Sequence, residues 1–155
     1  MDDEIRRLVD DLLETMYTFE GVGLAANQVG IAKRVAVVDI GERGSQPIVL
    51  INPRITRSSE EVETCEEGCL SIPDVFADVE RHFSVTVEAL DYYGKRFRLS
   101  LSGYEARAVQ HEIDHLDGIL FLDRLSATKR NLLMAKWKKL RKGESGYTRE
   151  PPDHE

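Results

Sequence analysis

Ile5, Leu8, Val9, Leu12, Leu13, Met16 and Phe19 recur every three or four positions. That is the period of one helix face, and it predicts an amphipathic helix at the start of the chain. The period then breaks. "EGVGLAANQVG" (20–30) holds three glycines in eleven residues and reads as a loop. "RVAVVDI" (34–40) and "PIVLIN" (47–52) are short apolar runs rich in β-branched residues, hence strands, with "GERGSQ" as the turn between them. "VETCEEGCLSIPDVF" shows no clear period. "RHFSVTVEALD" (81–91) and "KRFRLSL" (95–101) alternate, and "YYG" joins them as a hairpin. Helical spacing returns over 104–117 and again over 126–141, where Ser126 or Thr128 is the candidate N-cap. From residue 143 the tail is polar, carries a Pro pair, and is expected to be disordered. With no repeat and no internal linker, residues 1–142 are expected to form one domain. Helices and antiparallel strands do not alternate strictly, so the class is α+β: antiparallel strands around a central helix, plus a C-terminal helix.

Composition narrows the classes. A chain of 155 residues, 41% hydrophobic and 32% charged, suits one ordinary hydrophobic core. A net charge of −7 argues against nucleic-acid binding by the whole surface, and no specific DNA binding is expected. The N-terminal "MDDEIRRLVDDLLETM" is acidic and amphipathic, unlike a signal or transit peptide. No apolar run approaches the roughly 18 residues that would span a bilayer. Cys65 and Cys69 are only four residues apart and are not expected to form a disulfide, and nothing points to an oxidising compartment. The expected location is the cytoplasm.

Candidate chemistry sits in "HEIDH" (111–115). His111 and His115 are four apart and share one helix face, where two imidazoles can grip one metal ion. Glu112, between them, can reach a water on that metal. The bland alternative is a solvated face, but His occurs only four times in the chain, which makes a chance match rare. A catalytic metal needs a third protein ligand. The pattern that continues through Gly118 to a third His ends instead at Phe121, and no carboxylate occurs between Asp123 and Glu144. His82, His154, Cys65 and Cys69 remain, and the residues alone leave the choice open.

Three segments carry a resemblance. "GVGLAANQ" (21–28), "EGCLS" (67–71) and "HEIDHLDG" (111–118) resemble, in this order, the three motifs of the peptide deformylase family. The likeness runs from about residue 4 to about residue 142. It implies hydrolysis of the N-terminal formyl group from N-formyl-methionyl nascent peptides, releasing formate. It implies Cys69 as the third ligand beside His111 and His115, with iron(II) as the ion and nickel, cobalt or zinc able to occupy the same site. Glu112 would act as general base and then pass the proton to the departing amine. The Gln28 side-chain amide and the Leu70 backbone N–H would bind the oxyanion. Gly21, Val22 and Gly23 would let an extended substrate pair with the loop, as in strand addition. Cys65, Tyr104 and Ala108 are expected to line the methionine pocket, the last two standing two turns and one turn before His111. Arg81 either buttresses Asp114 or Glu67 or is a plain surface arginine.

Two features depart from the family pattern. Members generally carry an extended segment before the first helix, so one sheet edge is expected to be uncovered here. Where some relatives place an Arg seven residues after the metal cysteine, this chain has Phe76. A metallopeptidase cutting internal bonds would share the metal and Glu112 but not the "EGCLS" thiolate. A fold kept only for binding would be expected to lack Glu112, Gln28 or a ligand, and all are present. Finally, Lys129–Lys142 holds seven basic and no acidic residues, which leaves −14 on the rest of the chain. Docked through Leu133, Trp137 and Leu140, this helix would turn a cationic side to phosphate-rich surfaces, and ribosome contact is expected.

Overall fold

A computed structural model of the chain describes residues 2–41, 46–69, 72–119 and 121–143. The tail from residue 144 and Leu70 lie outside the described residues, as do the side chains of Cys69 and Leu140. The first helix, α1 (Asp3–Thr18), is capped by Asp2, whose carboxylate accepts the Ile5 N–H at 3.0 Å. Of the predicted stripe, Leu8, Val9, Leu12 and Met16 are buried and Ile5 and Leu13 partly so, whereas Phe19, the C-cap residue, is exposed.

β1 (Gly23–Ala25), β2 (Val35–Val38), β3 (Ile48–Ser58), β6 (Ser84–Leu90) and β7 (Arg96–Ser102) form one antiparallel sheet in the order β1-β2-β3-β6-β7. β2 explains why its sequence is continuously apolar. Val35 and Val37 pack toward α1 with Leu12, Met16 and Leu24. Ala36 and Val38 pack on the other face with Ala106, Val109 and Ile113 of α2 (Gly103–Leu116). Both faces of the sheet are covered, so alternation buries every residue of this strand. Each fully buried Leu, Val or Met contributes roughly 1.5–3 kcal/mol, which makes this α1–sheet–α2 sandwich the stable part of the fold.

Three expectations are corrected. The glycine loop contains a strand, β1, and a short 3-10 turn, Ala26–Val29. The segment without a period forms two strands, β4 (Val62–Cys69) and β5 (Ile72–His82), paired with each other as a separate two-stranded sheet. Arg81 and His82 belong to β5 rather than to the following strand. The reason is visible in the burial pattern. Ala77, Val79 and Arg81 of β5 are all buried, opposite Glu67, Cys65 and Glu63 of β4, so charged and apolar residues share one inward face and no apolar alternation appears. The "YYG" hairpin forms as read: Asp91 N–H donates to the Lys95 carbonyl at 2.8 Å, and Gly94 sits at φ +84°.

α3 (Ala127–Gly143) starts at Ser126, whose hydroxyl accepts the Lys129 N–H at 3.2 Å. Leu133, Met134 and Trp137, with Leu125, pack on Ala77 and Val79, so this helix docks on the β4–β5 hairpin. No helix among the described residues is long and apolar enough to cross a membrane.

Candidate active site

Ala106 to His115 of α2 are buried without a break, so this helix is enclosed on all sides rather than amphipathic. It carries the paired histidines. The Nε2 atoms of His111 and His115 stand 3.1 Å apart. Two imidazole nitrogens bound to one ion at about 2.1 Å, in a tetrahedral arrangement, would stand about 3.4 Å apart. The two ring nitrogens therefore stand at nearly the spacing that a shared metal requires.

The protonation of His111 follows from its other nitrogen. Nδ1 lies 3.0 Å from Glu67 Oε1, and an ionised carboxylate only accepts. Nδ1 thus carries the hydrogen, and the Nε2 lone pair is left for a metal. Glu67 is itself held by cations. Arg81 donates Nε to Oε2 at 2.6 Å and Nη2 to Oε1 at 3.0 Å, and Arg107 donates Nη1 to Oε2 at 2.5 Å. Burial alone would raise the Glu67 carboxyl. The hydrogen bonds from His111 and Arg81, with the charge of Arg81, overcome that and hold it at about 2. Arg81 continues the network to Asp114 at 2.7 Å, and Asp114 also takes Arg124 at 2.6 Å. Of the two readings of Arg81, the buttress is the one observed, and it reaches both carboxylates at once. Replacing Arg81 with Met should cost about 3 kcal/mol, the low end for breaking a buried pair, because Glu67 keeps Arg107 and Asp114 keeps Arg124. A shift of the urea midpoint at unchanged slope measures this.

The glycine loop closes the other side. A Cβ added at Gly23 would lie 2.5 Å from Glu112 Oε2 and 2.8 Å from its Cγ. Backbone and carboxylate approach so closely that only glycine fits. The Gln28 side chain is buried, and its Oε1 accepts the Ala25 N–H at 2.8 Å. The carboxamide oxygen is thereby fixed on the loop. Asn27 donates its side-chain amide to the His115 carbonyl, and Arg34 pairs with Asp117 at 2.8 Å, so the loop is tied to the end of α2. Gly23→Ala should push Glu112 aside and lower turnover by roughly tenfold to a hundredfold, as misplacing a reacting group by about 1 Å does, with metal content unchanged. Steady-state rates beside metal analysis of the same sample check this.

These groups converge on a cavity of about 500 Å³. Gly21, Val22 and Gly23 line it from the loop, Tyr104 and Ala108 from α2, and Gln28, His111 and Glu112 are in its wall. Cys65, expected in the pocket, is not among the lining residues. It stands opposite Val79 on β5 and shares the hairpin face that packs beneath α3. Phe76 and Tyr104, both more than half exposed, stand at the same cavity. Among the described residues no three metal donors close on one point. The assigned Cys69 closes β4 at the pairing Cys69–Ile72, and its side chain and Leu70 lie outside what is described. Arg107 was not anticipated. Its signal was available, since it stands four residues before His111 and so on the same helix face.

Comparison with known proteins shows the family and the fold. The family model described as polypeptide deformylase matches residues 1–131. A peptide deformylase of Rhizobium meliloti is 50% identical over 144 residues, covering 92% of this chain and 83% of the relative. A crystal structure of a peptide deformylase from Legionella pneumophila superposes with a TM-score of 0.86 at 41% identity, covering 97% of this chain and 86% of that one. Another, from Ehrlichia chaffeensis in complex with actinonin, gives a TM-score of 0.84 at 42% identity, covering 92% and 85%.

Proposed function

The chain belongs to the polypeptide deformylase family, metal-dependent hydrolases that remove the N-formyl group from newly made polypeptides, and on that premise we propose a role for each residue of the cleft. His111, His115 and Cys69 would hold the ion. Iron(II) is the proposed occupant, and nickel, cobalt or zinc suit the same imidazole and thiolate donors. When bound, the metal supplies Lewis acidity to the formyl oxygen and a water of lowered pKa.

The protein's own groups do the rest. Glu112 takes the proton from the attacking water and delivers it to the departing amine nitrogen. Gln28, with its oxygen occupied by the Ala25 N–H, turns its NH₂ end to the oxyanion, and the Leu70 N–H is the proposed second donor. β1 is an edge strand, so Gly21, Val22 and Gly23 can pair with an extended substrate backbone. Tyr104 and Ala108 receive the methionine side chain. The observation that carries this reading is the 3.1 Å approach of the two Nε2 atoms, with Glu112 packed against Gly23 in the same cavity. Anaerobic assay of formyl-Met, acetyl-Met and internally linked peptides tests it. Only the formyl peptides should be cleaved, and turnover of acetyl or internal amides would contradict the assignment.

Ribosome contact through α3 is also proposed. Lys129, Lys136, Lys138 and Lys139 are exposed, while Leu133, Met134 and Trp137 dock the helix. Because removing α3 would uncover Ala77 and Val79 on the hairpin that bears Cys69, charge exchange is the cleaner test. Lys136→Glu, Lys138→Glu and Lys139→Glu together should weaken ribosome co-sedimentation and its salt dependence, leaving the rate on short formyl peptides within about twofold. Unchanged binding at low and moderate salt would limit the helix to a structural role.

A further inference from the structure

Glu20, Gly21 and Val22 connect α1 to β1, and all three line the cavity. They are anchored at both ends. On the helix side, the Glu20 N–H donates to the Tyr17 carbonyl at 3.1 Å and the Gly21 N–H to the Met16 carbonyl at 2.9 Å. On the sheet side, the N–H of Asp39, just past β2, donates to the Val22 carbonyl at 2.8 Å. A side-chain bond joins the two anchors directly. The Tyr17 hydroxyl donates to Asp39 Oδ2 at 2.5 Å, and Asp39 Oδ1 accepts the Gly41 N–H at 2.8 Å, so the carboxylate is fixed at both oxygens. Partial burial of the phenol, with the hydrogen bond and charge of Asp39, pushes its pKa up to about 12, so the hydroxyl keeps its proton and stays a donor at neutral pH. Between the anchors Glu20 sits at φ +56°, a conformation that a non-glycine residue keeps only where its surroundings impose it.

We propose that Tyr17 and Asp39 are positioning residues, a clamp that presets the loop edge on which the substrate backbone pairs. The inference rests on the proposed reading of Gly21, Val22 and Gly23 as that edge. A segment held in its bound shape before the substrate arrives avoids the ordering cost that a loose one adds at each binding event. Loosening it would weaken the backbone hydrogen bonds to residues beyond the formyl-methionine, while Glu112 and the histidines on α2 keep their places. The signature is therefore a dependence on substrate length, which a general loss of stability does not produce.

The test compares formyl-Met-amide, formyl-Met-Ala-amide and formyl-Met-Ala-Ala-amide on the metal-loaded enzyme. Each added residue offers the edge a further backbone amide. For the wild type, kcat/KM should rise about tenfold from the shortest to the longest, as one or two added hydrogen bonds imply. Tyr17→Phe removes only a hydroxyl from an exposed ring, and Asp39→Ala removes its acceptor. Each should cut the rise to about threefold or less, through KM, and leave the rate on formyl-Met-amide within about twofold. The double variant should be no worse than Asp39→Ala alone, because the two changes remove one shared bond. Tyr92→Phe is the control. It removes a solvent-facing bond to Asp10, 3.3 Å long and elsewhere on α1, and should keep the full rise. A full rise in folded Tyr17→Phe would overturn the proposal, and so would an equal loss in Tyr92→Phe. A wild type whose rate does not rise with length would instead remove the strand-pairing reading, and this inference with it.

Discussion

Glu112→Gln should fold and retain metal as the wild type does while losing at least about a hundredfold in turnover, the usual cost of removing a general base. The substitution is nearly isosteric, so the contact with Gly23 and the packing of α2 are preserved. What is lost is the ability to take a proton. Glu112 is 4% exposed, one residue after His111 and on the same enclosed helix. Its carboxylate lies against the loop backbone, which fixes its orientation toward the cavity. Rate, metal content and thermal midpoint measured on one preparation separate this from misfolding. A variant that kept more than about a tenth of the rate would remove Glu112 from the proton transfers.

The other large effect is expected at Cys69. Cys69→Ser should lower metal affinity by more than the roughly tenfold to hundredfold that loss of an outer-shell partner costs, because a soft thiolate is replaced by a poor hydroxyl ligand. Cys65→Ser should leave metal content near normal, since Cys65 stands opposite Val79 on the face beneath α3. Equilibrium dialysis against a metal buffer measures both. Equal metal loss in the two variants would show that the ligand cysteine is misassigned.

Most of the frame was legible because its burial is one-sided or complete. The α1 stripe, the apolar β2 run and the β6–β7 alternation each follow from a single environment per face. The β4–β5 hairpin was illegible for the opposite reason. Its inner face mixes Ala77 and Val79 with Glu67 and Arg81, and charges buried as partners carry no hydrophobic signature. In the site, His111, Glu112 and His115 could be read from their spacing, which a helix converts directly into proximity. The supports could not. Glu67 stands 44 residues from His111 and Arg81 stands 33 from Asp114, and only the tertiary fold brings such pairs together. The role of Gly23 is equally non-local, because the group that forbids its side chain is Glu112 on another element.

The central claim is that deformylation depends on one ion held beside Glu112. It is tested most directly by adding iron(II) anaerobically to metal-free wild-type protein and following formate release from a formyl-Met peptide. The rate should rise in proportion to bound iron and stop rising at one ion per chain. Full activity in the metal-free protein, or a rate that does not follow bound metal, would contradict the account.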